Sequence, residues 1–252
     1  MKAVDYETQS ILDMYLLFHY GRSEQILPYA FGPTSALHFP VRCVNELIDA
    51  SKLSESSSAL DLGCAVGRSS FELARYCDSV IGMDYSKTFI TTAQDLQKEG
   101  QLRYTKKITG RMLEPLIAKV PEVIDRSRVQ FLVGDAHDIS EDIGTFDIVL
   151  AANLLCRMTN PYKLLERLPS LVKPGAQLIL TTPNTWIETI TPIENWLGAR
   201  PETGEPLQAI KTQLEPDFDC VTVKDIPFLI HEHDRKFQWS VAQGSTWERR
   251  RV

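Results

Sequence analysis

Ser58-Ala59-Leu60-Asp61-Leu62-Gly63-Cys64-Ala65-Val66-Gly67-Arg68-Ser69-Ser70 is the stretch that decides the fold. A short apolar run ends in an acid, two glycines follow four residues apart, and a helix is predicted over 68–76. Gly63 permits the tight turn out of the strand, and Gly67 lets the next helix approach the sheet. The bare backbone between them leaves room for a ligand against the helix N-terminus, either a nucleotide phosphate or a carboxylate. Spacing separates the possibilities. A dinucleotide fingerprint reads G-x-G-x-x-G and a triphosphatase loop reads G-x-x-x-x-G-K-S/T, whereas here G-x-x-x-G directly follows an acid.

Working outward, strands are predicted at 79–84, 129–134, 146–151 and 176–182, with helices over 86–99 and 161–172 between them. Runs at 220–230 and 236–242 form a last antiparallel pair, bringing the strands to seven. Upstream, Ile11, Leu12, Tyr15, Leu16 and His19 recur at helical spacing before Gly21, and a second helix is predicted to start near Pro40. Alternating strands and helices predict an α/β fold, a mostly parallel sheet with helices on both faces. Insertions at about 102–128 and 183–215 are long enough to expect lids or substrate walls. We expect a single domain over 1–252, with a helical cover at 1–56, a ligand-binding core at 57–182, and a substrate-side insertion with C-terminal strands at 183–252.

In an open parallel sheet, ligands bind beyond the carboxyl ends of the strands. Three successive strands here end in Asp61, Asp84 and Asp135, and a fourth in Asn153. A carboxylate at Asp84 can accept from both hydroxyls of a ribose, which points to an unphosphorylated ribonucleoside. Asp135, followed by Ala136, can accept from an adenine amino group. Met83 and Tyr85 flank Asp84 and can provide an apolar slot for the base, although both are also plausible packing residues.

Composition narrows the partners. With 43% hydrophobic and 24% charged residues the chain is that of an ordinary globular protein, and a net charge of -6 argues against a nucleic-acid substrate. Five scattered cysteines fit reduced thiols and a cytoplasmic location. No metal is expected: His231 and His233 are two apart, with no third ligand at a metal-binding spacing. The N-terminus has no apolar signal region, and no run of about 18 apolar residues suggests a membrane span. Arg249-Arg250-Arg251 reads as a solvated tail. Oligomeric state is not legible.

Over roughly 57–182 the pattern resembles the class I, Rossmann-like methyltransferases. That resemblance implies S-adenosylmethionine as cofactor, with its methionine end at the loop of Asp61, Gly63, Cys64 and Gly67, ribose at Asp84 beside Tyr85, and adenine at Asp135 and Ala136. Asn153 is placed to touch the methionine part or the substrate. Many members carry a third glycine where this chain has Ala65, which is tolerated if the backbone there has negative φ. The alternatives are a Rossmann-like NAD protein and a cofactor-binding regulator without catalysis.

A more specific resemblance runs along nearly the whole chain. Tyr6-Glu7-Thr8, Tyr15-Leu16-Leu17-Phe18-His19-Tyr20-Gly21, Phe39-Pro40-Val41-Arg42-Cys43, Asp61 through Ser70, Ala151-Ala152-Asn153-Leu154, Thr191-Pro192, Glu194-Asn195-Trp196-Leu197-Gly198 and Arg235-Lys236-Phe237-Gln238-Trp239-Ser240 resemble the C-terminal methyltransferase module of the ovothiol-forming 5-histidylcysteine sulfoxide synthases. The resemblance implies N-methylation of the imidazole of 5-thiohistidine, or of 5-selenohistidine on the way to ovoselenol. The sequence lacks the iron-dependent synthase of that family, so a stand-alone enzyme or an excised module is expected. Another small-molecule acceptor, such as a quinone or an amine, is the alternative. Tyr29, Phe31 and Arg42 of the cover, Trp186, Asn195 and Trp196 of the insertion, and Arg235 and Lys236 are the expected substrate contacts. Asn153, Glu188, Glu194 and His231 are the candidates for catalysis, with none singled out as a base.

Overall fold

The computed structural model describes residues 5–251; residues 1–4 and 252, at the ends of the expected cover and C-terminal segment, lie outside it. The strands are β1 (Ser58–Leu62), β2 (Ser79–Asp84), β3 (Gln101–Thr109), β4 (Met112–Lys119), β5 (Val129–Val133), β6 (Phe146–Ala152), β7 (Val172–Thr182), β8 (Phe218–His233) and β9 (Lys236–Arg249). The helices are α1 (Gln9–Tyr20), α2 (Ser23–Ile26), α3 (Phe39–Asn45), α4 (Arg68–Leu73), α5 (Lys87–Glu99), α6 (Pro161–Arg167) and α7 (Pro206–Leu214). Seven strands form one sheet in the order β5-β2-β1-β6-β7-β9-β8. All neighbours from β5 to β7 are parallel, and β9 runs antiparallel to both β7 and β8. The order reverses beside β1, which opens a crevice at the carboxyl edge between β1 and β6.

Strand alternation sorts the core into two layers. Ala59, Val80, Ile148, Leu150 and Ile179 face a cluster built with α1, α3, α4 and α5. Leu60, Leu62, Val149, Ala151, Leu178 and Leu180 face the other, built with α6 and α7. This is the period-two signature of strands buried on both faces. The expected helix over 161–172 is shorter than its apolar pattern suggests. It ends as α at Arg167, two residues before Pro169, whose ring and missing N–H interrupt the ladder, and Val172 already opens β7.

The last hairpin is longer than the sequence pattern predicts, and its length shapes the site. Residues 243–248 of β9 pair with 177–182 of β7, where β7 ends. The distal halves of β8 and β9 therefore run on past the carboxyl edge of the sheet. The insertion at 102–128 forms the β3–β4 hairpin, which packs on α1 and braces this overhang. Asp234 N donates to Ile108 O at 3.0 Å, and the buried Lys106 pairs with Asp234 at 3.2 Å and Glu114 at 3.3 Å. A bulge between His231 and His233 interrupts the strand alternation that would put residues two apart on one face. Of the arginine run expected to be a solvated tail, Arg249 instead lies in β9 and donates to Val172 O, while Arg250 and Arg251 are exposed, Arg250 gripping Asp219 at the surface through two nitrogens at 2.8 and 3.0 Å. No helix among the described residues is long and apolar enough to cross a membrane.

Gly67 is the tightest point between β-sheet and helix. Its φ is +83°, and an added Cβ would stand 2.5 Å from Phe131 Cζ. Gly110 also has positive φ but open space around it. Gly67→Ala should cost about 2–4 kcal/mol by combining strain with overpacking, against roughly 1 kcal/mol for Gly110→Ala. Denaturant unfolding of the two variants checks the gap; equal losses would mean that the contact with Phe131 is soft.

Candidate functional site

At the carboxyl edge lies a cavity of about 780 Å³, a size that suits a nucleoside cofactor together with a small substrate. One half is polar and lies over β1, β2 and β5. Asp84 Oδ2 accepts from Ala65 N and Asp84 Oδ1 from Ser86 N, each at 2.9 Å. The carboxylate thus fastens the loop after β1 to the turn after β2, and retains lone-pair sites. Burial pushes its carboxyl above the usual range against these donors. Tyr85 beside it is 78% exposed at the cavity rim.

Ala65 corrects the expectation of negative φ: its φ is +48°. The left-handed conformation costs an alanine about 1 kcal/mol, and the hydrogen bond to Asp84 holds it there. Gly63 lines the cavity, while Asp61, Cys64 and Gly67 lie behind it. Asp61 is buried, and its Oδ2 accepts from Ser69 Oγ at 2.7 Å and Ser70 Oγ at 2.6 Å, which ties the strand end to the first turn of α4. Asp61 Oδ1 is enclosed without a partner, and burial pushes this carboxyl up to about 6. The Cys64 thiol is buried too, with its acidity suppressed by burial.

Asp135 stands at the third strand end. Its Oδ1 accepts from His137 N at 2.8 Å and pairs with His137 Nδ1 at 2.7 Å. His137 Nε2 accepts from Asn160 N at 3.2 Å, so the neutral ring carries its proton on Nδ1. Burial raises the Asp135 carboxyl, but the His137 hydrogen bonds outweigh that and hold it below the usual range. Oδ2 is left for a ligand. Ala136 lines the wall beside it, and Asn153, with φ +54°, is locked by Thr181 through both its backbone and its side chain.

The other half of the cavity is aromatic. Tyr15, Phe18 and His19 of α1, Phe39 of α3, and Phe228 and Ile230 of the β8 overhang line it. His19 is 8% exposed, and neither ring nitrogen hydrogen-bonds to a described residue; Nδ1 is fully enclosed. Burial, helped by the charge of Arg68, lowers its imidazole to about 3, so the ring is neutral. Arg157 brings a cation into this half while three of its N–H groups serve Cys156 O, Thr185 O and Thr185 Oγ1. Tyr6 and Glu7 close the polar end, where Glu7 Oε2 accepts from Thr88 N and Oγ1.

None of the expected substrate contacts lines the cavity. Trp186 and Trp196 stack on each other at 6.3 Å, and Trp196 Nε1 donates to Thr191 O; neither lines the cavity. Asn195 acts at one remove by donating to Thr159 O, and Thr159 does line it. Tyr29 donates to Asp234 O and stacks on the exposed Phe31 at the hairpin tip, where Arg235 donates to the Tyr29 oxygen. Arg42 is committed to Glu46, Ser35 O and Pro227 O, and Lys236 to Glu232. His231 is turned away from the cavity and pairs with Asp234 at 2.9 Å, and Glu188 and Glu194 stand outside as well. Sequence reasoning missed His137, Arg157 and the aromatic half. The one available signal was His19 in the helical stripe, which reads equally well as core.

Residues 60–180 match the sequence profile of the family described as Methyltransferase domain. Ubiquinone biosynthesis O-methyltransferases of Coxiella burnetii are 24% identical over 155 residues, 61% of this chain; the chain spans about half, 55%, of their length. A SAM-dependent methyltransferase of Methanosarcina mazei superposes with TM-score 0.55 at 18% identity, covering 80% of this chain and 96% of that one. Magnesium protoporphyrin IX methyltransferase of Synechocystis PCC 6803 with bound SAM gives TM-score 0.55 at 16% identity over 99% of both chains. These likenesses establish a Rossmann-like methyltransferase fold. The cyclase SpnF shares it with TM-score 0.53, 16% identity and coverage of 81% and 78%, so the fold leaves the reaction to the site.

The enclosed Asp61 has a measurable consequence. Its folded carboxyl at about 6 exceeds the unfolded value, so the protonated form favours the fold. That stability is present below pH ~4 and is lost as pH rises through ~6. Asp61→Asn lacks this loss, so the stability difference between variant and wild type should shift in favour of the variant by about 3 kcal/mol between pH 4 and 7. Urea unfolding across that range checks it; a constant difference would mean an ordinary Asp61.

Proposed function

We propose that this chain, whose residues 60–180 match the methyltransferase-domain profile, transfers a methyl group from S-adenosylmethionine to an imidazole nitrogen of 5-thiohistidine or its selenium analogue. The observation that carries the reading is one continuous cavity with acids at three strand ends on or behind its polar wall and an aromatic-lined chamber, with Arg157 as its cation, at its other end. The residues fit the cofactor. Asp84 keeps lone pairs for two ribose hydroxyls, and its charge disfavours a 2′-phosphate. Asp135 Oδ2 would accept from the adenine amino group, with Tyr85 over the base. Gly63 and Asn153, which line the cavity, would serve the methionine end, with Asp61 behind them tying the strand end to α4.

When bound, the cofactor supplies an electrophilic methyl group on a sulfonium. The chain's own residues exclude water and orient the acceptor. The aromatic chamber takes a flat ring, and Arg157 retains two N–H donors for a substrate carboxylate. Support for the histidine-derived substrate comes from where the family-like stretches fall. Those at 6–8, 15–21 and 39–43 contribute Tyr6, Glu7, Tyr15, Phe18, His19, Phe39 and Pro40 to the cavity. A broader reading, methyl transfer to another flat small molecule, is favoured by the similarity to ubiquinone biosynthesis O-methyltransferases.

Two experiments test the halves separately. Asp84→Ala should weaken S-adenosylhomocysteine binding at least tenfold by calorimetry, since each hydrogen bond to a charged group is worth about 1.5–3 kcal/mol. Unchanged affinity would remove Asp84 from the ribose role. NMR of the product from 5-thiohistidine should show a methyl carbon on ring nitrogen, with histidine a poor substrate. Equal turnover of histidine, or none of 5-thiohistidine, would leave the broader reading.

A further inference from the structure

His19 is an anomaly inside the chamber. It sits on the last full turn of α1, 92% buried by its 8% exposure, in a ring of Tyr15 at 5.9 Å, Phe18 at 5.4 Å and Tyr20 at 6.4 Å between centroids. Tyr20 spends its hydroxyl on Val66 O at 2.7 Å, and the charged group facing His19, Arg68 of α4, is paired with Glu72 at 2.8 Å. No described residue hydrogen-bonds to either nitrogen of His19. A buried imidazole without partners costs about 1–3 kcal/mol for each group left unpaired, so a ring kept there for packing alone would be better replaced by phenylalanine. Nδ1 is enclosed with nothing to donate to, which favours the tautomer carrying its proton on Nε2, the nitrogen that is not enclosed.

Resting on the proposed function, we propose that the His19 Nε2–H is the donor that holds the substrate's chalcogenolate, a thiolate or selenolate, and so directs methylation to nitrogen. A thiolate is the better nucleophile toward a sulfonium, so nitrogen wins only if sulfur is held off the line of attack. In water a single neutral N–H would do little. In a chamber walled by Phe18, Phe39 and Phe228 the low dielectric strengthens it. The new C–N bond takes a ring-nitrogen lone pair, and the electron pair of the cleaved C–S bond returns to the cofactor's sulfur. The chalcogenolate keeps its charge and its hydrogen bond throughout. Histidine, which lacks the chalcogen, leaves the donor unpaired.

The test uses the whole chain with S-adenosylmethionine and 5-thiohistidine, with 5-selenohistidine run in parallel. Wild type should give the N-methyl product alone. His19→Phe should lower kcat/KM at least tenfold and divert product to S-methyl, while His19→Gln, which keeps a donor, restores most of the N-selectivity. Calorimetry with S-adenosylhomocysteine should read the same in all three, showing that the variants fold. Nitrogen NMR of the free protein should show His19 as the neutral Nε2–H tautomer from pH 6 to 9. A His19→Phe variant that makes only N-methyl product with kcat/KM within threefold of wild type overturns the role, as does an Nδ1–H or protonated ring. A wild type inactive on both substrates overturns the substrate reading and this role together. A difference between the sulfur and selenium arms identifies which chalcogen the donor suits.

Discussion

The Asp84 carboxylate joins two turns that would otherwise move independently. Through Ala65 N it holds the loop after β1 in a left-handed bend, and through Ser86 N it sets the start of α5. Ser86 Oγ in turn accepts from Phe89 N and caps that helix. Gly63 N and Cys64 N donate to Met83 O one residue earlier, so the loop is stitched to β2 along its whole base. A buried carboxylate is expensive unless hydrogen-bonded, and here its partners are backbone groups of the elements that line the cavity. The site is therefore organised before any ligand arrives, and the acid that organises it is also the acid offered to the ligand.

Opposite this polar wall, apolar packing forms the second chamber. Phe18, Phe39 and Phe228 come from α1, α3 and the β8 overhang, and meet one another at centroid distances of 5.0 to 6.2 Å. The overhang reaches the cavity only because β8 and β9 outrun β7, and it stays there because Lys106, Asp234 and His231 tie it to the β3–β4 hairpin. The insertion that looked like a lid is thus a brace. Charge is confined to the cofactor side and to Arg157, and an N–H or a carboxylate entering the aromatic side meets few competitors.

The strand ends carrying Asp61, Asp84 and Asp135 were legible because each follows a short apolar run, and the turn after β1 because Gly63 and Gly67 occupy positions with φ above +70°. The sign of φ at Ala65 was not legible, since it depends on the hydrogen bond its N–H donates to a residue 19 positions away. Nor was the bond from Arg42 to Pro227 O, 185 positions away, although the pairs of Arg42 with Glu46 and of Lys236 with Glu232 have a four-residue spacing that could have been read. Trp186 and Trp196 looked like pocket walls because aromatics suit both tasks; their mutual stacking is a tertiary fact. His137 lies in a loop and Arg157 ends a single 3-10 turn, neither with a sequence periodicity, so only the fold brings them to the cavity.

The central claim is that one cavity holds both partners of the reaction, ordered by Asp84 on one side and the aromatic chamber on the other. A crystal structure with S-adenosylhomocysteine and 5-thiohistidine bound tests it most directly. Both ribose hydroxyls should lie within hydrogen-bond distance of Asp84, and the imidazole ring should lie in the chamber lined by Phe18, Phe39 and Phe228 with its chalcogen toward His19. A nucleoside seated away from Asp84, or a substrate ring lodged outside the chamber against Trp186 and Trp196, would contradict it.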